Sequence, residues 1–272
     1  MKTLSFDAYT LKWIAVIAMI ANHIAIAWNP ILPLGLLLPL YAVGGLTYTI
    51  MAYFVVEGYR YTSNFKKYIL RLVIFGVIAQ LFHPMVLGIT AMIPGAPFLN
   101  ILFTITLSLI VLLAYDKIKI RFLFWLFFIV ACIVAMFMDL FFIGVLVPLL
   151  YYVIKKESRR RTLPGIIAGI IFLVFGLMSA AQVMLAPHIP GMEQELQYVL
   201  DNMGMTVNLM LATPTFALGC FAGAILIRNY NNDRGKPAKW LFYVAYPVHL
   251  AVIAIVAVAL GLVSFSLFGI VF

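Results

Sequence analysis

His23, His83 and His249 each fall within or at the end of a long apolar run. An imidazole is the side chain that ordinarily gains and loses a proton near neutral pH. Ionisable groups set among apolar residues are costly to bury, so each is a functional candidate. Asn22, Asp139, Glu57 and Arg60 complete the set. Several also have structural readings. His83 precedes Pro84 and reads as an interfacial cap. Asp139 reads as a cap for the helix that follows it, because a carboxylate accepts the orphan amides of a helix start. Glu57 and Arg60 are three apart on one face and read as an ion pair. His249, two residues after Pro247, reads as bonding a carbonyl freed by the proline. His23 is the hardest to explain structurally, since it and Asn22 interrupt an otherwise apolar helix. The chain has no Gly-x-Ser-x-Gly elbow, no histidines at metal-ligand spacing and no phosphate-cradling glycine loop. What remains is a membrane-embedded histidine able to act as general base, without a metal.

The elements that must position these residues follow from hydropathy. The chain has 272 residues, 65% hydrophobic and only 10% charged. A soluble domain carries about a quarter charged residues. The apolar runs are continuous rather than alternating, which excludes a barrel and leaves helices as the spanning structure. The fold class expected is all-α: a polytopic membrane helix bundle of about nine transmembrane helices, forming one domain over 1–272. The spans fall near 10–28, 33–57, 67–83, 98–115, 121–138, 140–155, 164–185, 205–228 and 239–262. The first is read as retained rather than as a signal peptide, because the run is long and Trp28-Asn29-Pro30 suits an interfacial end. By helix rise His23 sits roughly 18 Å from the inner surface, and His249 roughly 14 Å beyond Trp240. Cys132 and Cys220 both lie in apolar runs and suggest neither disulfide nor metal site.

All 18 Lys and Arg residues segregate to the N-terminus and to alternate loops. Arg60, Lys66, Lys67 and Arg71 flank one loop, Lys117, Lys119 and Arg121 the next. Lys155, Lys156, Arg159, Arg160 and Arg161 mark a third, and Arg228, Arg234, Lys236 and Lys239 a fourth. The positive-inside rule then puts the N-terminus in the cytoplasm and the C-terminus outside. The net charge of +9 has the same origin and calls for no nucleic-acid partner. The longest outer loop, near 186–204, carries Glu193, Glu195 and Asp201. No Gly-x-x-x-Gly face points to self-association over internal packing, so the oligomeric state stays open.

Several short patches, in order, resemble the TraX family, which includes a pilin N-acetyltransferase. They are Leu11-Lys12-Trp13-Ile14-Ala15 with Met19-Ile20-Ala21-Asn22-His23-Ile24; Phe54 through Thr62, with Glu57-Gly58-Tyr59-Arg60 inside it; and Lys66-Lys67-Tyr68-Ile69-Leu70-Arg71-Leu72. Then come Asn100-Ile101-Leu102-Phe103-Thr104, Asp139 through Leu146, and Lys239-Trp240-Leu241-Phe242-Tyr243 with Tyr246-Pro247-Val248-His249-Leu250. The family usually shows Asp-His where this chain has Asn22-His23. Its Gly-Arg in the second helix is replaced by Gly44-Gly45, and its Asp-Tyr-Gly by Asp139-Leu140-Phe141.

The resemblance implies a membrane-embedded acyltransferase of the cytoplasmic (inner) membrane, moving acetyl from cytosolic acetyl-CoA to an amine or hydroxyl of an acceptor peptide, glycan or lipid. Under that reading His23 is the general base, with Asn22, Asp139 and His249 in positioning or proton handling. Arg60, Lys66, Lys67, Arg71 and Glu57 organise the inner mouth where the CoA nucleotide binds. Two other readings fit the same residues: a transporter or flippase, and a non-catalytic membrane assembly or immunity protein.

Overall fold

The computed structural model describes residues 5–29, 31–87, 91–93, 96–185, 203–237, 239–262, 266–267 and 270–271. The outer loop bearing Glu193, Glu195 and Asp201 lies outside these residues. The described chain is helical: α1 Ala8–Ala27, α2 Leu34–Tyr61, α3 Phe65–Gln80, the short α4 His83–Leu87, α5 Ile101–Lys117 and α6 Arg121–Ala135 come first. There follow α7 Ile143–Val153, α8 Glu157–Leu185, α9 Met203–Arg228 and α10 Lys239–Ala259. Two minimal antiparallel ribbons accompany them, β1 Ala91–Ile93 with β2 Ala96–Pro97, and β3 Ser266–Leu267 with β4 Ile270–Val271.

Each expected span contains one helix of eleven residues or more. Among the described residues, four helices are long and apolar enough to cross a membrane: Ala8–Ala27, Leu34–Tyr61, Glu157–Ala181 and Phe242–Ala259. Outward faces are apolar. On α6, Phe122, Trp125, Ile129 and Ile133 are exposed at helical spacing while Phe124, Ala131 and Ala135 turn inward. In water such a stripe would be costly, whereas against lipid tails it is matched. The chain is a helical membrane protein.

Helix α2 is the axis of the bundle and packs on α1, α7, α8 and α9. Its contact with α9 is backbone against backbone. A side chain at Gly45 would collide with the Phe216 carbonyl, and one at Gly219 with that of Ala42. Gly219 and Gly223, at the spacing of a small-residue face, are thus spent inside the chain. Hydroxyls tie the remaining helices: Thr47 Oγ1 donates to Ala15 O at 2.9 Å and Tyr48 Oη to Ile143 O at 2.6 Å. Asn100 caps α5 and also donates from Nδ2 to Gly76 O at 2.8 Å, joining α3 to α5.

The N-terminus, the start of α8 and the α9–α10 loop meet at one end of the bundle. Phe6 N donates to Asn229 O and Asn231 N to Phe6 O, both at 3.0 Å, and Arg161 reaches the Tyr230 carbonyl and Asn232. Asp7 caps α1 by accepting from Thr10 N; the Thr10 hydroxyl first, and this backbone bond second, lower the pKa of its carboxyl.

The expected span at 140–155 is shortened. Helix α7 starts only at Ile143, because Leu140 (φ 62°) and Phe141 (φ 48°) are left-handed. Tertiary bonds impose this turn: Thr104 Oγ1 donates to Asp139 O at 2.9 Å and Ser108 Oγ to Gly144 O at 2.8 Å. Left-handed backbone at a bulky residue costs about 1–3 kcal/mol and tends to be kept where a site needs it.

Candidate active site

A cavity of about 300 Å³ lies among α1, α2, α5, α7, α8, α9 and α10. Its walls are mostly apolar, with Met19, Met51, Phe172 and Phe216 among them. Its polar lining includes Asn22, His23, Thr47, Tyr48, Asp139 and Tyr246. Three of the four catalytic candidates read from the sequence therefore share one chamber, and the strained Leu140 borders it.

The fourth, His249, stands directly behind His23. The ring centroids are 4.8 Å apart at 68°, and His249 Nε2 is 3.3 Å from His23 Nδ1. Backbone carbonyls settle the tautomers. His23 Nδ1 is 2.9 Å from Met19 O and His249 Nδ1 is 2.8 Å from Ala245 O, so both Nδ1 atoms carry the proton and donate. His249 Nε2 then accepts a share of the His23 Nδ1–H. The remaining nitrogen, His23 Nε2, keeps its lone pair and makes no hydrogen bond among the described residues. Proline did not dictate the His249 contact. Pro247 frees the carbonyl of Tyr243, four residues back, whereas His249 bonds Ala245.

His83 and Asp139 are corrected from capping residues to a pair. His83 is fully buried and its Nε2 donates to Asp139 Oδ2 at 2.9 Å. The residue capping α7 is Phe142, without a side-chain bond. His83 Nδ1, Asn22 Nδ2 and the Tyr246 hydroxyl are buried with no hydrogen-bond partner. Tyr246, whose ring lies 6.2 Å from that of His23, was not singled out as a site residue. Its spacing three before His249 puts the two on one helix face, and that was the available signal.

The inner-mouth residues make separate arrangements. Glu57 and Arg60 pair at 3.4 Å, as their spacing suggested, and Arg160 approaches Glu57 at 3.9 Å. Arg60 also donates to the Tyr152 carbonyl at 3.1 Å, closing the end of α7. Lys66 and Lys67 are exposed on the first turn of α3. The Arg71 guanidinium stacks over Tyr243 at 5.5 Å. A second, more polar hollow of about 400 Å³ at this end includes Tyr59, Arg60, Asp116 and Tyr152. Sequence reasoning overlooked Lys12. Its ammonium lies 4.9 Å from the ring centre of Phe54 and 5.7 Å from that of Phe242, which lines the main cavity. Eleven residues separate Lys12 from His23, about three helical turns, so the two share a face. Among the described residues no three His, Cys, Asp or Glu side chains gather as metal ligands.

Fold and cavity together define a polytopic helical membrane protein with histidine chemistry enclosed in its core. The family described as TraX protein matches residues 7–257, and the chain belongs to that family. It is 27% identical over 281 aligned residues to the probable fimbrial assembly protein FimC, serogroup H1, of Dichelobacter nodosus, covering 93% of this chain and 96% of that protein. No solved structure matches the chain.

Proposed function

We propose that the chain is an acyltransferase of the cytoplasmic membrane, taking acetyl from cytosolic acetyl-CoA to an amine or hydroxyl acceptor of the cell envelope. The observation that carries this reading is His23 Nε2, a lone-pair nitrogen that makes no hydrogen bond among the described residues, on a residue that lines the cavity. A positioned base of this kind takes the proton of an attacking nucleophile and contributes typically 10²–10⁴-fold. The His249 ring behind it fixes the tautomer, as a positioning residue. The relative's name, a fimbrial assembly protein, supports a fimbrial subunit as the acceptor. Nine spans with the N-terminus inside belong to the same reading. They are supported by the joining at one end of three segments that carry basic residues.

The test is purified protein with radiolabelled acetyl-CoA and fimbrial subunit. Wild type transfers label. His23→Gln, which keeps a hydrogen-bonding group but takes no proton, loses roughly 10²–10⁴-fold while still binding CoA. Native-rate transfer by a monodisperse His23→Gln protein would make His23 a packing residue. A second reading, a non-catalytic fimbrial assembly factor, is favoured by the relative's printed name alone. It predicts binding of the subunit with no label transferred.

A further inference from the structure

Asn22 is the cavity's least explained residue. It is only 9% exposed, and its Nδ2 has no hydrogen-bond partner. Nor does any other hydrogen bond hold its amide. Native folds leave few buried polar groups unpaired, because each costs about 1–3 kcal/mol. An apolar side chain of the same size would fill this place without that cost. The amide is nevertheless accommodated with care: Gly44 of α2 faces it, and a Cβ there would stand 2.5 Å from Nδ2. Asn22 also adjoins His23 in the chain, and both line the same chamber. The two ends of an amide exchange by a half-turn of the last torsion, so the unheld group can present its NH₂ to a ligand.

We propose that Asn22 binds the carbonyl oxygen of the acyl donor and stabilises the oxyanion formed there; this rests on the acyl-transfer reading above. In the step, the acceptor's nitrogen or oxygen attacks the thioester carbonyl carbon as His23 Nε2 takes its proton. The carbonyl π pair moves to oxygen, where the Asn22 amide donates to it. Collapse restores the C=O bond and breaks the C–S bond. The leaving thiolate takes the proton back from His23, giving acylated acceptor and free CoA. A preorganised donor in a water-poor site is worth roughly 10²–10³ in kcat. Asn22→Ala should therefore lose that much in kcat with KM little changed.

A readout independent of turnover separates this from a packing role. The probe is an unreactive ketone analogue of acetyl-CoA, with methylene in place of the thioester sulfur and ¹³C at the carbonyl. Bound to wild type, its carbonyl stretch should lie at lower wavenumber than when bound to Asn22→Ala. The wild-type frequency should persist in Tyr246→Phe, which removes a second cavity-lining donor that is buried without a partner among the described residues. Binding of the analogue by calorimetry shows that each variant is folded. Equal frequencies in wild type and Asn22→Ala, or a shift that follows Tyr246 instead, would overturn the assignment to Asn22 and leave the acyltransferase reading standing. No binding to folded wild type would overturn both.

Discussion

At the scale of single residues, the site's polar groups bond one another or backbone carbonyls, while Asn22 Nδ2 and the Tyr246 hydroxyl have no partner among the described residues. The His83–Asp139 pair is the clearest stabilising case. Asp139→Ala leaves a fully buried imidazole donor without an acceptor, a loss of about 1–3 kcal/mol. Asp139→Asn retains an acceptor and should cost less. Unfolding in SDS titrations should rank wild type above Asp139→Asn and both above Asp139→Ala; equal stability of the three would remove the pair's structural role. His23 was legible in the sequence because a histidine beside an asparagine breaks an apolar pattern. The partnership of His83 with Asp139 was not, because 56 residues intervene and each alone resembles a helix cap. Tyr246 was hidden differently: it is one of 14 tyrosines, and what sets it apart is an unpartnered hydroxyl together with a place in the cavity wall beside His23.

At the scale of elements, helix α1 works as a ruler. Lys12 and His23 lie on one face, eleven residues or about 16 Å apart by helix rise. Lys12 stands beside the Phe242 ring and His23 lines the chamber. A donor with phosphates at Lys12 and an extended pantetheine arm would bring its thioester to His23. Lys12→Ala should weaken CoA binding several-fold and leave binding of a short acyl thioester without phosphates unchanged. Calorimetry on both ligands checks this; equal loss for both would mean that α1 had shifted. Helix positions were legible because bilayer thickness sets the length of each apolar run. The turn at Leu140–Phe141 was not. Its residues are as apolar as a helix interior, and what stops the helix is hydroxyl bonding from α5. Likewise the Gly219 face could be recognised as small, but only the packing shows that α2 fills it.

At the scale of the whole molecule, the segregation of basic residues and the joining of the N-terminus, α8 and the α9–α10 loop at one end make a topological prediction. In a cysteine-free background (Cys132 and Cys220 replaced), Ser158→Cys should label only after the membrane is permeabilised. Ile31→Cys, in the turn between α1 and α2, should label in intact cells. Labelling of both from the same side would overturn the nine-span arrangement. The expected orientation rests on charge parity, which the labelling tests. Which spans surround the cavity was beyond it, because hydropathy gives the length of a helix and not its neighbours.

The contact between His23 and His249 bridges 226 residues, from the first helix to the last. A ribosome therefore delivers the chamber's first wall long before its second. Until α10 enters the bilayer, the His23 Nδ1–H lacks its second acceptor, and the flank that Phe242 and Tyr246 supply stays open to lipid. A chain that lacks α10 has no complete chamber in which to carry out the proposed activity.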